Sequence, residues 1–363
     1  MFRALNIWLP AYLRRHPRPV AAGITDVMIA ICDHFEPLHK ADKATALMRL
    51  RRWQNEYPPL IAKFRDADGI RPRHTFFYPI EQYNTDIVTE LARLCERCGG
   101  ETELHLHHDH DNAEQLRDKI QRGKTDLAHH GLLSRTTDGD VRYGFIHGDW
   151  ALANAHPHGR HCGVNNELDV LLETGCYADF TLPAAPDPSQ TRIINSIYYA
   201  SSTGQPRPHD MGDLAAVRIA SITPSPSRLL LVQGPLGLNW SRRKFGILPR
   251  IENGEITGPN PPRPDRLKIW LDLGIHVQGR PEWIFIKLHT HGGVERDMAT
   301  LLTERMENFF QHLVTNCNDG QAFRLHFVTA REMVNIIHAA EAGHTGNPGE
   351  LRNYRYLRAD KCV

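Results

Sequence analysis

The sequence has no long apolar run and almost no net charge. A membrane-spanning helix needs about 20 consecutive apolar residues, and no stretch of the sequence approaches that length, so we expect no transmembrane segment. The 43 basic and 42 acidic residues leave a formal net charge of +1. This balance excludes the strongly basic surface that nucleic-acid binding requires, and we predict no DNA or RNA partner.

A disulfide framework is not expected either. The chain has seven cysteines, an odd number, and they are scattered along its length. Cys95 and Cys98 have the spacing of a zinc or redox pair, but they lie late in a predicted helix with no second pair nearby. We interpret them as packing residues. The cysteine content favours a reducing compartment, so we predict a cytoplasmic protein.

The first residues lack the order of a secretory signal, because their short apolar stretch is broken by Pro10 and followed by arginines. We therefore expect residues 1–22 to form an arm docked on the protein surface. The alternative is peripheral contact with an anionic membrane through Trp8, Leu9 and the arginines, which would make the protein membrane-associated.

Histidine, by contrast, is abundant. The chain contains 22, and His is the commonest metal ligand and a frequent proton carrier. Several follow apolar, β-branched runs that are typical of buried parallel strands. Because the carboxyl ends of such strands form the ligand site of parallel α/β folds, we expect these side chains to meet. The strand-end groups are Asp33-His34, His105 to Asp111, His147 to Trp150 and His289 to His291.

Strands alternate with helices along most of the chain, a pattern that predicts parallel βα units. The predicted strands cover residues 27–32, 74–79, 103–107, 143–147, 283–288 and 325–329. Between 184 and about 265 proline is frequent and residues 228–232 are the one clear strand. We interpret this segment as an elaborated insertion, since it still carries apolar residues that need burial.

With these motifs the sequence resembles the NodB-homology polysaccharide deacetylases, a carbohydrate esterase family, over about residues 27–340. The order and spacing of the family's motifs match this sequence better than the individual residue types do. The family's opening T-F-D-D corresponds to Ile31-Cys32-Asp33-His34, its His-x-x-x-His to His107 through Asp111, its third and fourth motifs to residues 145–150 and 179–180, and its last motif to Leu288-His289.

The resemblance implies an α/β fold: a distorted (β/α)7 barrel of the polysaccharide-deacetylase type with an elaborated insertion. The barrel would span residues 23–345, with the insertion at 184–265. The N-terminal arm, 1–22, would precede it and a C-terminal tail, 346–363, would follow it.

The resemblance also implies a divalent metal, with zinc expected and Co, Mn, Ni or Fe as alternatives. The family's metal-binding Asp falls on His34 and its second motif His on Asp111, an exchange that still supplies two His and one carboxylate. We predict His34, His107 and Asp111 as ligands. The alternative set is Asp33, His105 and His107, which uses a His-x-His pair on one strand face.

The chemistry that the resemblance implies is hydrolysis of an N-acetyl group by metal-activated water. Asp33 would be the general base and His289 the acid that protonates the departing amine. The remaining predicted site residues are Tyr78, Glu81, His147, Trp150 and Asp179 at the substrate, and His105 and His291 beside the metal ligands.

The resulting hypothesis is a metal-dependent hydrolase of exopolysaccharide biosynthesis that acts on C–N bonds and deacetylates a polysaccharide or its lipid-linked precursor. One alternative is an amidohydrolase for a small amide, with the insertion as a lid. The other is a carbohydrate-binding pseudo-deacetylase, because the first two motifs depart from the family pattern.

Overall fold

The computed structural model describes residues 4–19, 23–218 and 227–359. Its helices are α1 (Leu5–Arg14), α2 (Lys43–Ile61), α3 (Thr85–Cys98), α4 (Ala113–His129), α5 (Glu167–Thr174), α6 (Pro264–Leu273), α7 (Glu295–Leu301), α8 (Glu304–Asn316) and α9 (Ala330–Glu341). Its strands are β1 (Thr25–His34), β2 (Thr75–Pro79), β3 (Glu101–Leu106), β4 (Ser134–Arg135), β5 (Val141–His147), β6 (Cys176–Asp179), β7 (Ile197–Ala200), β8 (Asp213–Leu214), β9 (Leu229–Val232), β10 (Gly237–Lys244), β11 (Leu248–Glu252), β12 (Trp283–Thr290) and β13 (Phe323–Phe327).

The central sheet is mostly parallel and is organised around β1. This strand pairs with β12 from Asp26 to Asp33, with β13 along its first half and with β2 at its end. The parallel order continues through β2, β3, β5, β6 and β9, and β7 and β8 add antiparallel strands. The predicted α/β class is confirmed. Within the described ranges, no ladder joins β9 to β12, so backbone pairing does not close the sheet into the predicted barrel.

The alternation of side chains along β1 decides which way its last residues point. Ile31 packs with Trp53 of α2 in the cluster between the sheet and the helices, whereas Cys32 packs in the cluster on the opposite face of the sheet. Because successive side chains of a strand alternate between its faces, Asp33 falls on the helix side and His34 on the inner side.

Part of the segment predicted as an insertion belongs to the central sheet. Its strand β9 pairs with β6 in the central sheet, while β10 and β11 form a separate antiparallel pair. Helix α1 docks on this region: Trp8 is fully buried in a cluster with Ala185 and Leu236. None of the described helices is both long and apolar enough to span a bilayer.

The C-terminal segment is tied to the end of the sheet opposite the carboxyl termini of the strands. Arg352 lies 3.0 Å from Asp66 and 2.7 Å from Asp68. The Nδ1 of His326 lies 2.8 Å from Asp68, and its Nε2 lies 2.9 Å from Asp26. The segment predicted as a tail therefore supplies counter-charge to two aspartates of the loop after α2.

Candidate metal centre

Histidines from three strand ends meet where β1, β3 and β12 terminate. The ring of His34 lies 5.0 Å from that of His105, 4.8 Å from that of His291 and 6.2 Å from that of His289, centroid to centroid. The register explains the approach, since Cys32 of β1 pairs with His289 of β12. The predicted convergence of strand-end histidines is thus present in the structure.

The carboxylate at the centre of this group is Glu36, which was not among the predicted residues. Its Oε1 lies 3.4 Å from Nε2 of His105 and 3.8 Å from Nε2 of His107. His34, Glu36 and His105 offer ligand atoms that all lie within 4.8 Å of one another. We call His34, Glu36, His105 and His107 the Glu36 cluster. Its sequence signal was a carboxylate two residues beyond His34, in the turn after β1.

The hydrogen bonds of the outer ring nitrogens fix which nitrogens face inward. Nδ1 of His105 donates to the carbonyl of Ile146 at 2.9 Å, so in a neutral His105 ring the proton is on Nδ1 and Nε2 faces Glu36 as an acceptor. Nδ1 of His107 lies 2.7 Å from Glu81. Nε2 of His34 and of His105 are buried without a hydrogen-bond partner among the described residues. Such orphaned lone pairs beside a carboxylate fit a cation.

The electrostatics of the Glu36 cluster also suit a cation. Burial opposes ionisation of Glu36, but the contact with His105 and the positive charge that His105 and His107 carry when protonated outweigh it and lower the pKa of Glu36 to about 2, so a metal ion in place of these protons would also be stabilised. Burial, reinforced by the adjacent imidazoles, lowers the pKa of His34 well below its usual value, and burial lowers the pKa of His291 as well. Neutral imidazoles and one ionised carboxylate are the ligand types that zinc takes.

Asp33, the predicted base, is fully buried on the helix side of β1. Its Oδ2 accepts from Nε2 of His74 at 2.9 Å, and its Oδ1 accepts from the backbone N–H of Gly292 at 2.6 Å. Asp33 therefore orients the turn that carries His291. His74 was not predicted, because it precedes its strand and lies 41 residues from Asp33 in sequence.

His289, the predicted acid, is buried, and its Nδ1 has no partner in the described part of the chain. Burial, with the charge of Lys287, lowers the pKa of His289 well below its usual value, so the ring is neutral. Lys287 was also missed. It is fully buried, donates to the carbonyls of Phe180 and Leu182 at 2.5 and 2.8 Å, and burial lowers its pKa to about 8.

Asp111 does not join His34 in this structure. Its carboxylate lies 2.6 and 2.8 Å from Nζ of Lys119 and 3.3 Å from Nδ1 of His108. The predicted substrate residue His147 lies in the same region. His108, His147, Cys162 and Glu167 form a separate buried group, which we call the Glu167 cluster.

The other predicted substrate residues fall in different environments. Tyr78 is fully buried and its hydroxyl donates to the carbonyl of Gln82. Asp179 is buried and bonded to Thr181, and burial raises its pKa to about 7. Trp150 is half-buried, with its ring centroid 6.5 Å from that of His34. Of the predicted aromatic contacts, Trp150 thus lies at the Glu36 cluster, whereas Tyr78 belongs to the core.

No protein-family model and no curated protein matches the sequence. A solved structure from Mycobacterium smegmatis, described as a putative polysaccharide deacetylase, is similar over 90% of this chain and 95% of that chain, with 14% sequence identity and a TM-score of 0.44. A likeness at this level does not extend to activity, so the site of this chain is interpreted from its own residues.

Proposed function

We propose that the chain is a metal-dependent hydrolase of the deacetylase type whose cation lies in the Glu36 cluster. The observation that carries this proposal is the pair formed by Nε2 of His105 and Oε1 of Glu36. The two atoms are 3.4 Å apart, and because Nδ1 of His105 donates to Ile146, a neutral His105 would face the carboxylate with an acceptor. Two facing acceptors in a buried site need a positive charge between them, which a metal ion would supply in place of a proton.

His34, His105 and Glu36 would hold the ion, and His107 lies beside them. This set keeps the predicted ligand His34 and replaces Asp111 by Glu36, which again gives two imidazoles and one carboxylate. A zinc-type ion bound there would supply Lewis-acid polarisation of an acyl oxygen and lower the pKa of water. Glu81, bonded to the outer nitrogen of His107, would orient that ring towards the site.

In this proposal Asp33 remains the base and His289 the acid. Because Asp33 lies on the opposite face of β1 from His34, it would take a proton from the water that attacks the acyl carbon only after the turn at Gly292 opens. His74 would hold the carboxylate in place. The C–N bond then breaks, and the departing nitrogen takes a proton from His289. Because His289 is neutral in the free protein, it would donate to the departing nitrogen only after the proton that Asp33 takes from the water has passed to it.

The exposed side of the Glu36 cluster indicates where a substrate would enter. The side chain of His107 is 31% exposed and that of Glu81 is 28% exposed, whereas His105 has no exposed side-chain surface. Trp150 lies on the same side of the sheet and offers a flat aromatic surface on which a sugar ring packs. These features favour an N-acetylated polysaccharide or its lipid-linked precursor as the substrate.

The test combines metal content with acetate release from an N-acetylglucosamine oligomer. Wild type should bind metal and release acetate, whereas His105→Ala should lose one ion and the activity. His344→Ala, which changes an exposed histidine, serves as the matched control and should keep both. Bound metal without acetate release would favour the small-amide hydrolase. A wild-type chain that takes up no metal after reconstitution would contradict the proposal of a metal-dependent hydrolase and favour the carbohydrate-binding pseudo-deacetylase.

A further inference from the structure

The Glu167 cluster contains metal-ligating groups that the proposed function does not use. His108, His147, Cys162 and Glu167 offer ligand atoms that all lie within 4.8 Å of one another. The side chains of His108, His147 and Glu167 have no exposed surface, and Cys162 is fully buried. The cluster is therefore less accessible than the Glu36 cluster, where His107 is partly exposed.

Three side chains from separate segments converge on the carboxylate of Glu167, in the first turn of α5. Nε2 of His108 lies 3.3 Å from Oε1. Nε2 of His147 lies 3.6 Å and Sγ of Cys162 3.4 Å from Oε2. The loop after β3, the end of β5 and the loop before α5 thus meet at one buried carboxylate.

One ring nitrogen at this meeting point, Nε2 of His147, has neither a proton nor a donor. Nδ1 of His147 donates to the carbonyl of Gly148 at 2.5 Å, so its Nε2 is unprotonated and faces the carboxylate of Glu167. That Nε2 has no hydrogen-bond partner among the residues that the structure describes. A lone pair that faces a buried carboxylate is unfavourable unless a cation lies between them.

Burial, with the charge of Glu167, raises the pKa of the Cys162 thiol, so without a metal the residue is a thiol; two backbone N–H groups would stabilise the thiolate once a metal binds. Its Sγ accepts the backbone N–H groups of Asn154 and Val164, each at 3.3 Å. If the thiol proton leaves to solvent when a metal binds, the thiolate and the carboxylate of Glu167 together carry two negative charges. A divalent ion would neutralise them, which is the least costly way to bury such a group.

We propose that the Glu167 cluster is a second, structural site for a zinc-type divalent metal. Two His, one Cys and one Glu form a closed set of four ligands, the number that structural zinc sites have, and all three residue types are known zinc ligands. Nδ1 of His147 bonds to a carbonyl, as the outer nitrogen of a metal-bound histidine usually does, and Nδ1 of His108 lies 3.3 Å from Asp111 without a hydrogen bond to it.

The metal would fix the loop that connects β5 to α5. Asp149, Trp150, Ala153 and Asn154 all have positive φ angles, which non-glycine residues rarely adopt. The backbone N–H of Ala153 donates to Oε2 of Glu167 at 2.6 Å, so the loop is already anchored to the cluster. A bound ion would hold this loop in the conformation described and keep Trp150 next to His34.

The test uses the whole chain, stripped with a chelator and reloaded with Co²⁺. Wild type should bind two ions and show a thiolate-to-cobalt charge-transfer band in the near ultraviolet. Cys162→Ser should lose the band and one ion, whereas Cys98→Ser and Cys317→Ser should keep both. His105→Ala, in the Glu36 cluster, should lose one ion but keep the band.

X-ray absorption of the cobalt-loaded wild type needs no variant and covers the case in which Cys162→Ser does not fold. An average of one sulfur neighbour for every two bound cobalt ions supports the site, because only one of the two ions would have Cys162 as a ligand. Two sulfur neighbours on the same ion would indicate binding at Cys95 and Cys98 and would overturn the proposal. Absence of the band in wild type, or its survival in Cys162→Ser, also overturns it. The band with a single bound ion supports this site and counts against the Glu36 cluster, so the two proposals fail separately.

Discussion

Nδ1 of His107 lies 2.7 Å from Oε1 of Glu81. A carboxylate on the outer nitrogen makes an imidazole a stronger ligand and fixes its orientation. Burial lowers the pKa of His107, but the hydrogen bond with Glu81 and the charge of Glu36 outweigh it and raise the pKa overall. Glu81, predicted as a substrate contact, thus acts on the ring that borders the proposed ion.

We expect Glu81→Gln to weaken zinc binding at the Glu36 cluster by about 10- to 100-fold, because the amide is a poorer partner for the ring N–H. Competition with a chromophoric chelator measures the change. Glu304→Gln, at the exposed start of α8, is the control and should bind zinc as wild type does. Unchanged affinity in Glu81→Gln would show that His107 does not bear on the ion.

Asp33→Asn should lower kcat by about 10²- to 10⁴-fold while the metal content stays at the wild-type level. Asparagine keeps the size of the side chain and an oxygen for the N–H of Gly292, but it cannot take a proton. Steady-state acetate release, with metal analysis of the same samples, tests this. Activity within a few-fold of wild type would mean that Asp33 positions the turn at His291 and that another group is the base.

Trp150→Ala should raise KM for the acetylated oligomer by about 3- to 10-fold and leave kcat nearly unchanged, because stacking on an aromatic ring adds about 0.5–1.5 kcal/mol. Trp240, which is 54% exposed on β10, provides the matched control. Trp240→Ala should show wild-type kinetics. Equal KM values for wild type, Trp150→Ala and Trp240→Ala would show that Trp150 does not contact the substrate.

The stability contributed by His326 should depend on pH. Burial lowers its pKa, but hydrogen bonds with Asp26 and Asp68 outweigh burial and raise the pKa above 6.5. A raised pKa means that the folded state holds the proton more tightly, so the contribution is complete below 6.5 and is lost as pH rises through the folded value.

We therefore expect the free-energy difference between wild type and His326→Gln to be largest in mild acid and to shrink in alkaline solution. Urea unfolding at a series of pH values measures it. His312→Gln, on the outer part of α8, should show no such trend. A difference that does not vary with pH would mean that His326 is neutral in the folded protein.

The strands were predictable because apolar, β-branched runs are a local signal. The run at 27–32 became β1, Thr25–His34, and the run at 283–288 became β12, Trp283–Thr290. The meeting of strand-end histidines followed from this, since parallel strands bring their carboxyl ends together. The boundaries were less predictable, because strands end where ladder hydrogen bonds end.

The partners of individual side chains were not predictable from local patterns. The spacing of Asp111 from His107 is that of a pair of metal ligands, but Lys119, in the second turn of α4, supplies the counter-charge of Asp111. Glu36 lies in a turn, and only the fold brings it to His105. His74 and Asp33 meet through two neighbouring strands, a contact that no sequence period encodes.

The docking of Arg352 on Asp66 and Asp68 has a consequence for synthesis on the ribosome. Both aspartates emerge early, but Arg352 follows Asp68 by 284 residues. Until residue 352 has been synthesised, the two carboxylates lack this counter-charge. A polypeptide that stops short of residue 352 should therefore remain a substrate for chaperones and proteases rather than mature into a slightly shorter folded protein.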